Sequence, residues 1–393
     1  MIFENLIYCN GYYWFSAYHF NGLFRFKEGD STPEFMGTFP GERLGQERLY
    51  FTIIKHNDKL YFTPLSANSI AVYELTTGTF TSINIDLQKA EKNVKFKPTH
   101  KFYNAVQREG SILFFGLSYP GILEYDTIKH TLVYHSDLYE EILNTSNDFS
   151  GFFVCSCVQI EERLVLVFHS YNSIVEMNLL DSSYEQHYLD TGWGIPHHVC
   201  FDGNYYWILS STGGSVLKLN KEFKTERHFS VCSEDFNDKS FSSIHFVENK
   251  LFLLPKDANL PFRMDVTNNE IEIADEFLPE YDNELSGWIS VPGNIVNNKL
   301  VFCCPRTRSI LCVDENNVLR FRLRLKEADK KKYNKEWSSI KEFPNYILGE
   351  NTETIFEDFI RYDLKSIKPK VSDDFRINAG QRIYDYVKTA VFV

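Results

Sequence analysis

The sequence predicts an all-β fold that repeats one four-stranded antiparallel unit seven times. Three observations carry that prediction. The 393 residues include 34 Phe and 23 Tyr, and aromatic side chains suit a pleated, half-buried surface. Seven polar turns interrupt strand-like apolar runs: Asn10-Gly11, Asn57-Asp58, Glu109-Gly110, Glu161-Glu162, Asp202-Gly203, Glu248-Asn249 and Asn297-Asn298. Asn, Asp and Gly tolerate the positive φ of two-residue hairpins. Finally, the start of the next strand-like run falls ten residues after the turn in six copies and eleven in the fifth.

Within each copy, one strand leads into the turn, a second leaves it, and a third begins after a short loop. The second and third strands read YYWFSAYHFNGLFRF (12–26), KLYFTPLSANSIAVYEL (59–75), SILFFGLSYPGILEYD (111–126) and RLVLVFHSYNSIVEMN (163–178). They continue as NYYWILSSTGGSVLKLN (204–220), KLFLLPKDANLPFRMD (250–265) and KLVFCCPRTRSILCVD (299–314). The third strands start at Gly22, Ser69, Gly121, Ser173, Ser215, Leu260 and Ser309, in steps of 47, 52, 52, 42, 45 and 49 residues. A fourth strand follows in TFTSINI (79–85), TLVYHSDL (131–138), EIEIADEF (270–277) and VLRFRLRL (318–325). One such unit cannot cover both of its faces, so the units must pack on one another.

Four antiparallel strands repeated every 40–50 residues over residues 1–325 resemble the seven-bladed β-propeller superfamily. The resemblance is architectural. No WD dipeptide occurs, and a single Gly-Gly, at 213–214, stands where a kelch protein would repeat one. The resemblance implies that the loops between second and third strands share a face with the blade-to-blade connections, and that functional groups gather there and at the mouth of the axial channel. Residues 326–393 lie outside the repeats. Their ETIFEDFIRYDLKSI (353–367) spacing predicts a partly helical C-terminal extension that packs on the propeller or closes it.

The formal charge is −12, which repels phosphate backbones and anionic lipid surfaces, so neither nucleic acid nor a membrane is an expected partner. No signal peptide and no 18-residue apolar run is recognisable. The eight cysteines form no CxxC pair, as suits buried thiols in a reducing cytoplasm. A cytoplasmic monomer without a metal or other cofactor is the expectation.

Candidate site residues come from two sets of connections. The loops before the third strands carry His19, Tyr119, His169, Tyr171, Lys256, Arg306 and Arg308. The blade-to-blade connections carry Arg48, His100, Phe152, Trp193 and Trp288, each eleven residues before the residue that follows the turn. Such a rim suits a planar, sugar-like or peptide ligand. In TGWGIPHHV (191–199), counting back from the turn aligns His197 with Thr52, Asn104, Ser156 and Ser243, a polar row expected to line the channel. It aligns His198 with Ile53, Ala105, Cys157 and Ile244, which places His198 between sheets because strand neighbours face opposite ways.

GxSxG, GxxxxGK[ST] and HExxH motifs are absent, and no Ca²⁺-loop spacing occurs. The leading expectation is therefore a binding propeller for a peptide, glycan or protein. The alternative is a hydrolase, lyase or cyclase acting on a small peptide-like or sugar-like substrate. In that case His100, His169 or His197 supplies a general base, aided by Tyr119 or Tyr171. A single metal ion held jointly by those three histidines is a further possibility.

Overall fold

The computed structural model of the chain describes residues 3–43, 45–87, 100–145, 152–169, 171–190, 192–231, 241–256, 261–274, 277, 292–304, 309–314 and 317–324. These residues form seven antiparallel sheets, each of four consecutive strands in chain order. Blade 1 is β1 (Ile7–Cys9), β2 (Tyr12–Ser16), β3 (Leu23–Phe26) and β4 (Glu34–Gly37). Blade 2 is β5 (Tyr50–His56), β6 (Lys59–Pro64), β7 (Ser69–Glu74) and β8 (Thr79–Asn84). Blade 3 is β9 (Phe102–Arg108), β10 (Ser111–Gly116), β11 (Ile122–Asp126) and β12 (Thr131–His135). Blade 4 is β13 (Val154–Ile160), β14 (Arg163–Phe168), β15 (Ser173–Asn178) and β16 (Tyr184–Tyr188). Blade 5 is β17 (Pro196–Phe201), β18 (Tyr206–Ser210), β19 (Ser215–Leu219) and β20 (Thr225–Ser230). Blade 6 is β21 (Phe241–Val247), β22 (Lys250–Pro255), β23 (Phe262–Asp265) and β24 (Ile271–Ile273). Blade 7 is β25 (Asn294–Val296), β26 (Lys299–Cys304), β27 (Ser309–Val313) and β28 (Val318–Phe321). The chain is a seven-bladed β-propeller, as its repeats predict.

Turn chemistry sets the register. In six blades the first hairpin closes over two residues, as in His56 opposite Lys59 and Val296 opposite Lys299. Asn10, Asn57, Glu161, Glu248, Asn249, Asn297 and Asn298 all sit at positive φ there. Blade 5 differs from the expected two-residue turn. Phe201 pairs with Tyr206 across residues 202–205, and Asp202 Oδ1 accepts from the N–H groups of Asn204 and Tyr205, each at 2.7 Å.

Apolar cores fill the gaps between blades. Trp14, Leu23, Tyr50 and Phe62 cluster between blades 1 and 2, and Trp207, Leu209, Ile244 and Leu253 between blades 5 and 6. Blade 7 meets blade 1 through the Phe26 and Phe321 rings at 5.7 Å, Lys299 Nζ to Glu28 at 2.7 Å, and Arg324 N–H to Ser31 O at 2.7 Å. Among the described residues, no strand is exchanged at this junction. A second unit of the chain, residues 333–393, and the expected closing role of 326–393 lie outside the described residues.

One helix occurs among the described residues, α1 (Asp137–Thr145), between blades 3 and 4. Residues 136–138, read from sequence as the end of a strand, are instead its cap and first turn. Ser136 O accepts from Glu140 N–H at 2.9 Å, and Asp137 and Glu140 suit the positive helix N-terminus. Leu138, Tyr139 and Ile142 enter the core between blades 3 and 4.

Near the axis, polar side chains fasten most blades to the backbone of a neighbour. Asn5 Nδ2 donates to Tyr50 O (2.6 Å) and Thr52 Oγ1 to Tyr103 O (2.7 Å). Ser156 Oγ accepts from Val199 N–H (3.2 Å), and Ser243 Oγ from Gly293 N–H (3.3 Å). Asn294 Nδ2 donates to Glu4 O (3.4 Å). Five junctions are fastened this way among the described residues. Between blades 3 and 4, the corresponding Asn104 has a buried Nδ2 with no partner.

Candidate functional site at the channel mouth

A run of backbone hydrogen bonds builds the face that carries the candidate site. Leu65 N–H donates to Leu49 O, Lys101 N–H to Leu65 O, Leu117 N–H to Lys101 O, Phe153 N–H to Leu117 O and His169 N–H to Phe153 O, all between 2.5 and 2.9 Å. This girdle alternates between the start of a blade and its second-to-third-strand loop, so both sets of connections do share one face. It also fixes the backbone beside His100, Phe152 and His169. Their rings form a contact series: His100 to Phe152 at 5.6 Å, Phe152 to His169 at 6.4 Å, and His169 to His197 at 5.6 Å.

His197 reaches that series because it occupies a β-bulge. The register of β17 shifts between Pro196 and His198, leaving His197 as the extra residue. Tyr103, Cys155 and Ser242 occupy the same place in blades 3, 4 and 6. Bulges re-aim side chains, and here successive bulge residues touch. Cys155 Sγ lies 2.8 Å from His197 O. Gly194 permits the approach to this strand. Its φ of +135° suits glycine, and a Cβ there would collide with Ser210 Oγ.

Measured from the bulge, His198 rather than His197 shares the row of Asn104, Ser156 and Ser243. This overturns the alignment counted from the turn, for two reasons. Blade 5 has a longer turn, and its bulge lies one pair nearer that turn. The polar row, moreover, fastens blades together rather than lining the channel. The His198 ring lies 5.1 Å from that of His245 in the next blade.

All four imidazoles are held neutral. Burial pushes His197 down to about 3, and His169, His198 and Lys256 push the same way. His245 falls to about 3 by burial. His198 is held well below the usual range by burial and by His245, and His169 is lowered by burial and by Lys256. Desolvation disfavours the imidazolium, as it does any buried cation. His169 Nδ1, His197 Nδ1, His198 Nδ1 and His245 Nε2 are buried without a hydrogen-bond partner.

The remaining predicted residues separate. Tyr119, Tyr171 and Trp193 do not form a rim: they are buried in the cores of junctions 2/3, 3/4 and 4/5 respectively. Loops that cap the gaps between blades use their aromatics as plugs. Burial lifts the Tyr119 phenol far above its usual value and Tyr171 to about 12, so neither suits proton transfer near neutrality. Lys256 is exposed beside His169 and His197. Trp288, Arg306 and Arg308 lie outside the described residues. Among the described residues, no three His, Cys, Asp or Glu side chains are placed to hold a metal ion. Phe152 contacts the rings of both His100 and His169, and among the described residues the three histidines form no metal-holding group.

Arg48 is tied to Glu4. Its Nε donates to Glu4 Oε2 at 2.8 Å, its guanidinium lies over Tyr18, and its backbone sits at φ +50°. Glu4 is 5% exposed and Arg48 29%. Glu4→Ala is expected to lower stability by about 3 kcal/mol, the low end for stranding a buried charge because Arg48 retains some water. A double-mutant cycle with Arg48→Ala by urea unfolding checks it: the second substitution should recover part of the loss.

No protein-family model matches the chain, and no curated protein matches it. Solved structures share its fold. Virginiamycin B lyase from Staphylococcus aureus is 12% identical over 81% of this chain and 93% of its own, with a TM-score of 0.55. A catalytically inactive histidine-to-alanine variant of that enzyme with quinupristin gives 13%, 78%, 93% and 0.57. The extracellular domain of a putative one-component system from B. thetaiotaomicron gives 16%, 82%, 40% and 0.55. These likenesses establish the propeller. No helix among the described residues is long and apolar enough to cross a membrane.

Proposed function

We propose that the protein is a binding propeller whose channel mouth, over blades 3–6, holds an uncharged, planar or polar group of a peptide, glycan or protein partner. One observation carries the reading: two buried imidazole nitrogens without a protein partner, at His169 and His197, set on contacting rings. Native proteins leave few buried polar atoms unpaired, and a group of them marks a place where something else supplies the partner. The flat faces of His100 and Phe152 add stacking surface.

Acid–base catalysis is the weaker reading. A general base works best with a pKa near the operating pH. Burial holds His197 far below neutrality, so it has little affinity for a proton. The fold does not choose between the readings, since propellers serve as lyases and as extracellular domains alike.

Ligand-observed NMR with neutral peptide-like and sugar-like fragments tests the proposal. Fragments should bind the native protein and be lost in His169→Ala/His197→Ala, with His19→Ala as a control outside the ring series. No binding, or equal binding to both proteins, overturns the reading. Chemical conversion of a bound fragment would favour the enzyme instead.

A further inference from the structure

We propose that a cleft between blades 3 and 4, on the face opposite the channel mouth, binds an arginine side chain of a partner peptide. Apolar residues of the same peptide pack on the two turns beside it. The site is separate from the channel mouth and does not depend on the reading above. In an antiparallel blade, the turn joining the first two strands and the turn joining the last two emerge at the same end, away from the channel-mouth loops. Those turns of blades 3 and 4 border a cleft of about 730 Å³, a volume within the range of ligand sites.

Local hydrogen bonds fix the walls. Leu179 N–H donates to Glu162 O at 2.8 Å, which seats the last turn of blade 4 against its first. Gln159 Nε2 donates to Glu161 O at 3.0 Å, so its own carbonyl oxygen remains an acceptor. Arg108, also in the lining, ties blade 3 to the last turn of blade 4 through Nη1 to Ser182 Oγ at 2.6 Å. Its charge is matched within the protein, since Nη2 meets Glu124 Oε1 at 2.5 Å. The other charged groups of the lining are Glu109, Glu161 and Glu162, all exposed and without an ion-pair partner among the described residues. The cleft is therefore acidic, with aliphatic carbon from Leu179 and Leu180 in its wall.

The outer turns supply an independent observation. One turn recurs in four blades: the side-chain oxygen of Asp126, Asn178, Asn220 or Asp265 accepts from the N–H two residues on. That second position is Glu222 in blade 5 and Thr267 in blade 6, so the turn itself calls for no apolar side chain. In blades 3 and 4 it is Ile128 and Leu180, at 77% and 75% the most exposed large apolar side chains among the described residues. Leu180 lines the cleft, and Ile128 lies 3.6 Å from where a Cβ on Gly110 would stand, beside the turn that carries Glu109. Aliphatic groups held in water beside one cleft, where polar ones serve elsewhere, mark a contact surface. An arginine fits the cleft itself. Its planar fork offers five N–H donors to the carboxylates and to the oxygens of Gln107 and Gln159, while its methylene stem lies along Leu179. Among the described residues the carboxylates do not converge as metal ligands would, so a spread set of donors suits them better than a bare ion. The peptide's apolar neighbours then cover Leu180 and Ile128, which a free guanidinium cannot do.

Methyl-resolved NMR of the leucine and isoleucine side chains tests the proposal with the peptide acetyl-leucyl-arginyl-isoleucine amide. The peptide should shift the Leu180 and Ile128 methyl signals, and its analogue with glutamate in place of arginine should not bind. Glu161→Gln/Glu162→Gln should weaken the peptide about tenfold, within the range for two exposed ion pairs, and added salt should weaken it too. Leu180→Thr, which installs the residue type of the equivalent turn in blade 6, should weaken it about fivefold through lost apolar contact. Glu222→Gln, on the equivalent turn of blade 5, should change nothing. Equal binding of the two peptides, unchanged affinity in the double variant, or no binding at all overturns the proposal. So does agmatine binding as tightly as the peptide, which would make the cleft a small-molecule site. His169→Ala/His197→Ala should leave the affinity as it is. A loss there would move the peptide to the channel mouth, overturning this proposal while supporting the binding reading.

Discussion

Tyr139→Ala is expected to lower stability by about 4 kcal/mol, within the range for deleting a fully buried aromatic ring, and urea midpoints would show it. Tyr139 is fully buried, and its ring packs against Phe153 at 4.9 Å and Phe168 at 5.5 Å. Its hydroxyl donates to Gly116 O at 3.2 Å. Tyr139→Phe keeps the ring and loses that bond, for an expected loss of about 1 kcal/mol. If the two variants were equally stable, α1 would be decoration on the outside of the ring. A large gap between them makes it part of the core at junction 3/4.

Acidification is expected to produce the other large effect. The folded-state pKa values of His169, His197, His198 and His245 lie below the ordinary 6.5, so below that pH the unfolded chain takes up protons that the native protein refuses. The stabilisation is fully present above pH 6.5 and is lost as pH falls towards about 3. Each imidazole contributes a slope of at most about 1.4 kcal/mol per pH unit. Between pH 6.5 and 5 most carboxylates remain ionised, which isolates the histidine contribution. Urea midpoints across that window should fall steeply in the native protein and less steeply in His245→Gln. A flat profile would mean that the imidazoles become charged within the folded state.

The ring of blades was legible because its determinants are local. A turn that needs positive φ, such as Asn297-Asn298, and a strand on either side of it are encoded within a dozen residues. What was not legible depends on pairing across distance. The register of His197 required both the four-residue turn at 202–205 and the position of the bulge, and a count from one end sees only the first. Helix α1 was hidden because TLVYHSDL runs on as a plausible strand. Its signals are Ser136 as cap and the spacing of Leu138, Tyr139, Ile142 and Leu143. Tyr119, Tyr171 and Trp193 look alike in sequence whether they face a ligand or plug a core. The partner of Arg48, Glu4, lies 44 residues away along the chain. His245 drew no notice inside SIHFV because its meaning comes from His198 in the next blade.

The junction between blades 3 and 4 has a consequence for how the ring would hold a guest. It is clasped outside by α1 and above by the Phe153–Leu117 bond, while the buried Asn104 Nδ2 between the two blades has no partner. The His100, Phe152 and His169 series crosses above this same joint. On the proposed binding reading, a guest lying along the series would bolt the two blades together. Tightening the ring and holding the guest would then be one equilibrium, in which each strengthens the other by the same factor.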